Sequence, residues 1–276
     1  MSAHVVKPPI LPPLLHPAVH LQVLPYASRS LYFHDLSILN VAAPNGDGID
    51  PTGSADVLIE RVNISTSDDA IAIKSGTVPG FAPTTNVTIR HSTLRSTEAC
   101  VGIGSEMASD VIGVHVYNIT CEAAGHAPLY IKERKDAGGV VANVVFENVT
   151  LGPGIIAKGL WLSQHFGENG EKVGKVGAGS TTRASNGSSY PVMRNITLRH
   201  VWLVAGGGAV IDAAVVAGDL PTPGPGGVGT ILGVTLEDVH FGAPLLGWQC
   251  ANASGVWRNV TPTPCSAFTP ELSYSP

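Results

Sequence analysis

The chain has 276 residues, of which 44% are hydrophobic and only 13% charged, with a formal charge of −5 at neutral pH. An ordinary domain carries about 25% charged residues, so this balance excludes a disordered chain, a long coiled coil and the basic surface of a nucleic-acid-binding protein. The 32 glycines and 21 prolines are spread along the sequence, which predicts many short strands and frequent turns, in one large all-β domain or two ordinary ones.

In chain order, residues 1–25 form a Pro-rich segment without the uninterrupted apolar run of a secretory leader. Its histidines, His4, His16 and His20, have no metal-ligand spacing. Residues 26–276 carry a repeat. Segments anchored at Leu31, Val57, Val87, Val114, Val144, Ile196 and Val234 place apolar residues at the anchor and two, five and seven positions later, and only Ser92 departs from the pattern. Such a period signals stacked units. Alternation within each pair of apolar positions predicts strands, and the change of phase between the pairs predicts a bend. The pattern therefore points to a parallel β-helix, since a β-sandwich needs hairpins at closer spacing. The 52-residue interval from Val144 to Ile196 is expected to hold two coils. The stretch Val201 to Gly218 is apolar but broken by three consecutive glycines and Asp212, so no membrane span is expected.

Asp47 lies in Asn45-Gly-Asp-Gly-Ile-Asp-Pro51, and one coil later Asp68 and Asp69 open Asp68-Asp-Ala-Ile-Ala-Ile-Lys74. Matching Ile49 to Ile71 puts Asp47 and Asp69 in one column, with Asp68 one step aside. Close carboxylates raise one another's pKa and retain a proton, as acid and base catalysis by paired carboxylates requires. Asp50 is open between a substrate contact and a turn carboxylate before Pro51. Matching Ile73 to Ile103 and Ile131 stacks Glu98 and His126 over Asp68, sets Tyr130 beside Trp161, and puts Lys74 and Lys132 in one column.

On these residues the chain resembles glycoside hydrolase family 28, the polygalacturonases and their relatives. Asn45-Gly46-Asp47 stands at the family's Asn-Thr-Asp and Asp68-Asp69 at its Asp-Asp pair. Ile103-Gly-Ser-Glu-Met107, Tyr130-Ile-Lys132, and Trp248-Gln-Cys with Pro262-Thr-Pro-Cys265 extend the match, the last features toward the plant-type branch. The resemblance implies a right-handed, single-stranded, pectin-lyase-like parallel β-helix of about seven to nine coils. It implies inverting hydrolysis of α-1,4-galacturonosyl bonds of pectin, with Asp68 as general acid and Asp47 and Asp69 holding the attacking water. No cofactor or metal is needed. The partner is a pectic polysaccharide, with neither nucleic acid nor membrane, and the protein is expected to be a monomer in an extracellular or cell-wall setting. Family members also carry coils ahead of the first motif, which this chain reaches after only 44 residues, so an N-terminal truncation is expected.

Two departures stand out. The family's catalytic-site His is absent from Glu98-Ala-Cys-Val-Gly-Ile-Gly-Ser105, and Tyr130 replaces the Arg of its Arg-Ile-Lys motif. Tyr cannot imitate the two-pronged guanidinium grip on a carboxylate. His126 or Glu98 is expected to take over tuning of the acid, Tyr130 and Trp161 to form an apolar platform for a sugar face, and Lys132 and Lys74 to meet a substrate carboxylate. Alternatives are a rhamnogalacturonan or substituted galacturonan as substrate, or a polysaccharide-binding protein with a disabled site. Cys250 and Cys265 are expected to pair and close the C-terminal tail, residues 245–276, which implies an oxidising compartment. Cys121 sits at an inward position, so a core cysteine is the simplest reading; Cys100 could pair with it, although alternation sets their directions opposed. Of eight Asn-x-Ser/Thr sequons, Asn186, in a loop expected to be mobile, is the best glycosylation candidate.

Overall fold

A computed structural model describes residues 22–78, 80–133, 139–155, 158–164, 192–203, 215–217, 231–242, 248–251 and 253–271. His4, His16, His20, the Asn186 loop, Asn252 and most of the Val201 to Gly218 stretch lie outside the described residues.

Every described element is a strand, and every ladder is parallel. One sheet stacks β1 (Arg29–His34), β3 (Ala55–Glu60), β6 (Thr84–Arg90), β9 (Val111–Ala124), β11 (Val140–Ile155), β13 (Val192–Leu203), β15 (Ile231–His240), β17 (Ala253–Thr261) and β18 (Phe268–Pro270). The short strands β2 (Ser37–Asn40), β4 (Asn63–Thr66) and β7 (Thr93–Ser96) continue it around a bend. A second sheet stacks β5 (Ile71–Ile73), β8 (Ala99–Gly104), β10 (Ala127–Lys132), β12 (Trp161–Ser163), β14 (Val215–Ala217) and β16 (Gln249–Ala251). The chain alternates between the sheets once per coil, which is a parallel β-helix.

The repeat is the register. Leu31 pairs with Val57, Val57 with Val87, Val87 with Val114, Val114 with Val144, Val144 with Ile196, and Ile196 with Val234. All seven anchors are buried. The change of phase has a backbone cause: the residue four positions after each anchor takes a left-handed conformation, at Asp35, Arg61, His91, Asn118, Asn148, His200 and Asp238, with φ between 51 and 54°. Polar side chains that tolerate this region occupy every bend, mostly Asn, Asp and His. A one-residue slip would turn each apolar column outward, and burying one Val, Ile or Leu is worth roughly 1.5–3 kcal/mol, so the stacked columns fix the register. On the solvent side the fourth residue of the repeat forms a column of alternating charge. Arg90 bonds Glu60 at 2.6 Å and the Tyr117 hydroxyl at 2.9 Å, Arg199 bonds Glu147 at 2.7 Å, and Arg258 bonds Glu237. The partly exposed pairs of Arg199 and Arg258 are individually weak.

Two expectations are corrected. Val144 pairs directly with Ile196 and β10 with β12, so the 52-residue interval is one coil with a long insertion, not two coils. Cys100 is joined to Cys121 by a disulfide, with Cα atoms 5.9 Å apart, so Cys121 is not a free core thiol. Strict alternation back from Ile103 and Val101 turns Cys100 outward, but the chain is rounding a corner there. Ala99 packs outside with Ala127 and Tyr130, while Cys100 and Val101 both enter the core. Cys250 is bonded to Cys265, and Trp248 Nε1 donates to the Pro262 carbonyl at 2.6 Å, closing the tail on the last coils. Among the described residues no helix is long and apolar enough to cross a membrane.

Candidate active site

The acidic cluster is built by backbone pairing at the turn into β5. The Thr66 and Ser96 hydroxyls both donate to the Asp68 carbonyl at 2.6 Å, pinning the turn. The Gly48 N–H donates to the Asp69 carbonyl and the Ile49 N–H to that of Ala70, at 3.1 and 3.2 Å, which sets Asp47 alongside Asp69. Asn40 fixes the other coil by donating to the Asp47 carbonyl at 3.1 Å. The Asp68 carboxylate accepts the Asp69 N–H at 2.9 Å, and Asp69 Oδ1 accepts the Ala99 N–H at 3.1 Å. The structure thus brings Asp47, Asp68 and Asp69 together at one point of the outer surface of the second sheet.

Two glycines make room for this. A Cβ at Gly102 would stand 2.6 Å from Asp69 Oδ2, so only a bare backbone lets that carboxylate lie against β8. Gly104 has φ +96°, and a Cβ there would collide with the Lys132 carbonyl at 1.9 Å. Gly102 thus makes room for the Asp69 carboxyl, and Gly104, within Ile103-Gly-Ser, for the Lys132 backbone.

Each carboxylate assigned to the water has its own ammonium. Lys132 Nζ lies 2.6 Å from Asp69 Oδ2, and Lys74 Nζ lies 2.9 Å from Asp47 Oδ2 and 2.7 Å from Asp50 Oδ2. Lys132, expected at a substrate carboxylate, is only 7% exposed and is turned onto Asp69. Burial pushes the Asp69 carboxyl up to about 6 against the pull of Lys132. Burial, with the charge of Asp47, also raises Asp68. Burial and Asp47 push Asp50 up to about 8. Desolvation works against both ammonium groups, but Asp50 and Asp47 outweigh it for Lys74, and Asp69 does so for Lys132, so both are raised and remain charged. The arrangement sets a half-buried carboxyl whose pKa is raised beside two acids that each rest on a lysine ammonium. The lysines supply the cation that an acidic ladder would otherwise draw from solution, and among the described residues no group of three His, Cys, Asp or Glu is placed to hold a metal.

The flanking residues stack as the register requires. The His126 N–H donates to the Glu98 carbonyl at 3.0 Å, and the His126 ring meets the Glu98 carboxyl, both partly exposed. Tyr130 pairs with Trp161, with ring centroids 4.6 Å apart and planes 8° from parallel. Their faces are covered. Lys158 Nζ sits 3.5 Å from the Trp161 centroid and Lys132 Nζ 5.4 Å from that of Tyr130, and Tyr130 and Trp161 are 2% and 6% exposed. The pair makes a rigid wall of the groove rather than an open platform. Lys158 carries no sequence motif, whereas matching Ile49 to Ile71 places Asp50 beside Ala72 on the outward face.

The sequence profile of glycosyl hydrolases family 28 matches residues 16–212. The chain belongs to that family. This family 28 chain is 28% identical over 254 residues to a probable polygalacturonase of Vitis vinifera, covering 89% of this chain and 47% of the relative. It is 38% identical over 113 residues to an endo-polygalacturonase of Pectobacterium carotovorum, covering 40% and 26%. The crystal structure of an exopolygalacturonase from Thermotoga maritima superposes with a TM-score of 0.65 at 20% identity, over 86% of this chain and 48% of that one. A polygalacturonase from Erwinia carotovora gives 0.50 at 21% identity, over 91% and 54%. Both share the fold, and the match covers about half the length of the Vitis vinifera relative and of the two structures, and about a quarter of the Pectobacterium relative.

Proposed function

We propose that the protein hydrolyses a pectic polysaccharide at α-1,4-galacturonosyl bonds with inversion. The observation that carries this is the division of charge: Asp69 rests on buried Lys132 and Asp47 on the partly buried Lys74, while Asp68 is half-buried and raised. Asp68 gives its proton to the glycosidic oxygen as the bond to the anomeric carbon breaks. A water held by Asp47 and Asp69 attacks that carbon from the opposite face and loses its proton to one of them. The relatives' names, polygalacturonase and endo-polygalacturonase, support galacturonan as the substrate.

One feature favours a second reading, a substituted galacturonan or rhamnogalacturonan. Lys74 and Lys132 are turned onto the site's own acids, and Tyr130 stands where the family has Arg. The groove therefore offers a carboxylate-bearing sugar less positive charge. Reducing-end release from polygalacturonate, compared with rhamnogalacturonan, separates the readings. Release from neither, with retention on immobilised pectin, would identify a polysaccharide-binding protein instead. The two disulfides suit an oxidising, extracellular or cell-wall setting.

A further inference from the structure

We propose that Asp50 is a positioning residue of the hydrolytic site, which acts through Lys74 to hold Asp47; this rests on the role given to Asp47 above. Asp50 is fully buried, although it stands on the outward face of the second sheet, where Ile49 pairs with Ile71. Its Oδ2 accepts Lys74 Nζ at 2.7 Å and the Gln22 side-chain amide, while Oδ1 has no hydrogen-bond partner. A fold does not keep a buried carboxyl half satisfied without compensation, and here the compensation is a fixed ammonium.

The geometry explains what that ammonium needs. A lysine side chain has four rotatable bonds and loses much conformational freedom when held in one position. With Asp47 as its sole anchor, Lys74 would swing and carry the carboxylate with it. Asp50 also accepts from the ammonium, at 2.7 Å, so Lys74 meets Asp47 Oδ2 at 2.9 Å from a set direction. The orientation of Asp47 toward the water position follows, and misplacement of a reacting group by about 1 Å can cost roughly 100-fold in rate. An amide of the same shape keeps an acceptor oxygen for Lys74, so it can stand in for the Asp50 carboxyl.

The test uses the purified chain with polygalacturonate at pH 6. Asp50→Ala should lower kcat roughly 10- to 100-fold with KM within about twofold, and Asp50→Asn should restore most of kcat because its amide oxygen still accepts from Lys74. A merely structural role would move the melting temperature without this split. Wild-type kcat in Asp50→Ala, a raised KM at unchanged kcat, or equal impairment of the two variants would overturn the proposal. A crystal structure of Asp50→Ala decides it independently of activity. Displacement of Lys74 and Asp47 supports positioning, and an unmoved Asp47 refutes it. Absence of turnover in the wild type would instead count against the hydrolase reading and leave the crystallographic outcome to decide Asp50.

Discussion

Lys132→Met removes the ammonium 2.6 Å from Asp69 Oδ2 while keeping the length of the side chain. A unit charge at about 4 Å and an effective dielectric near 20 is worth roughly 4 kcal/mol, or about 3 pKa units. Water entering the altered site reduces this, so about 2 units is the expected rise for Asp69 from its present value of about 6. In the proposed mechanism Asp69 must be ionised to hold and deprotonate water. The acid limb of kcat/KM should therefore move from near 6 to near 8, with a loss of about 50-fold at pH 6. Lys132→Arg, which keeps the charge, should move it much less. The assay is reducing-end release between pH 4 and 9, with circular dichroism to confirm folding. A folded Lys132→Met with an unmoved acid limb and a raised KM would refute the reasoning and return Lys132 to the substrate.

Two further predictions concern groups around the cluster. Glu133 is fully buried at the end of β10, and burial raises it from 4.5 to about 8. A carboxyl raised in the folded state contributes most stability below its unfolded pKa and loses it as pH climbs to the folded value. Glu133→Gln should therefore melt like the wild type near pH 4.5 but be more stable by a few kcal/mol near pH 8.5, and a difference independent of pH would exclude this account. The charge of Glu98 helps hold the proton on Asp68, and His126 pairs with Glu98. Glu98→Gln should lower the alkaline limb by a few tenths of a pH unit and His126→Ala should raise it, both shrinking in high salt because the pair is partly exposed. Unchanged profiles in both variants would leave tuning of the acid to burial and Asp47 alone.

The fold was legible because the apolar columns are one-dimensional. Once Val57 sits over Leu31 and Val87 over Val57, each later anchor has one place to go. Asp47, Asp68 and Asp69 came together by the same arithmetic, since strand pairing sets neighbours one coil apart. What escaped it depends on features that a period does not carry. An insertion looks like an extra coil, as between Val144 and Ile196. A corner breaks alternation, as at Cys100. Long side chains choose partners across columns, so the register that aligned Lys74 with Lys132 said nothing of their turning onto Asp47, Asp50 and Asp69. The stacked rings of Tyr130 and Trp161 followed from register, but their burial under Lys158 and Lys132 did not.

The central claim is that Asp68 supplies the proton to the leaving glycosidic oxygen. Asp68→Asn keeps the side chain's size and its acceptor for the Asp69 N–H, so the protein should fold and still bind pectic chains. Reducing-end release from polygalacturonate should fall at least about 1,000-fold relative to the wild type, at the upper part of the range for general acid catalysis. Undiminished turnover by a folded Asp68→Asn protein would contradict the account.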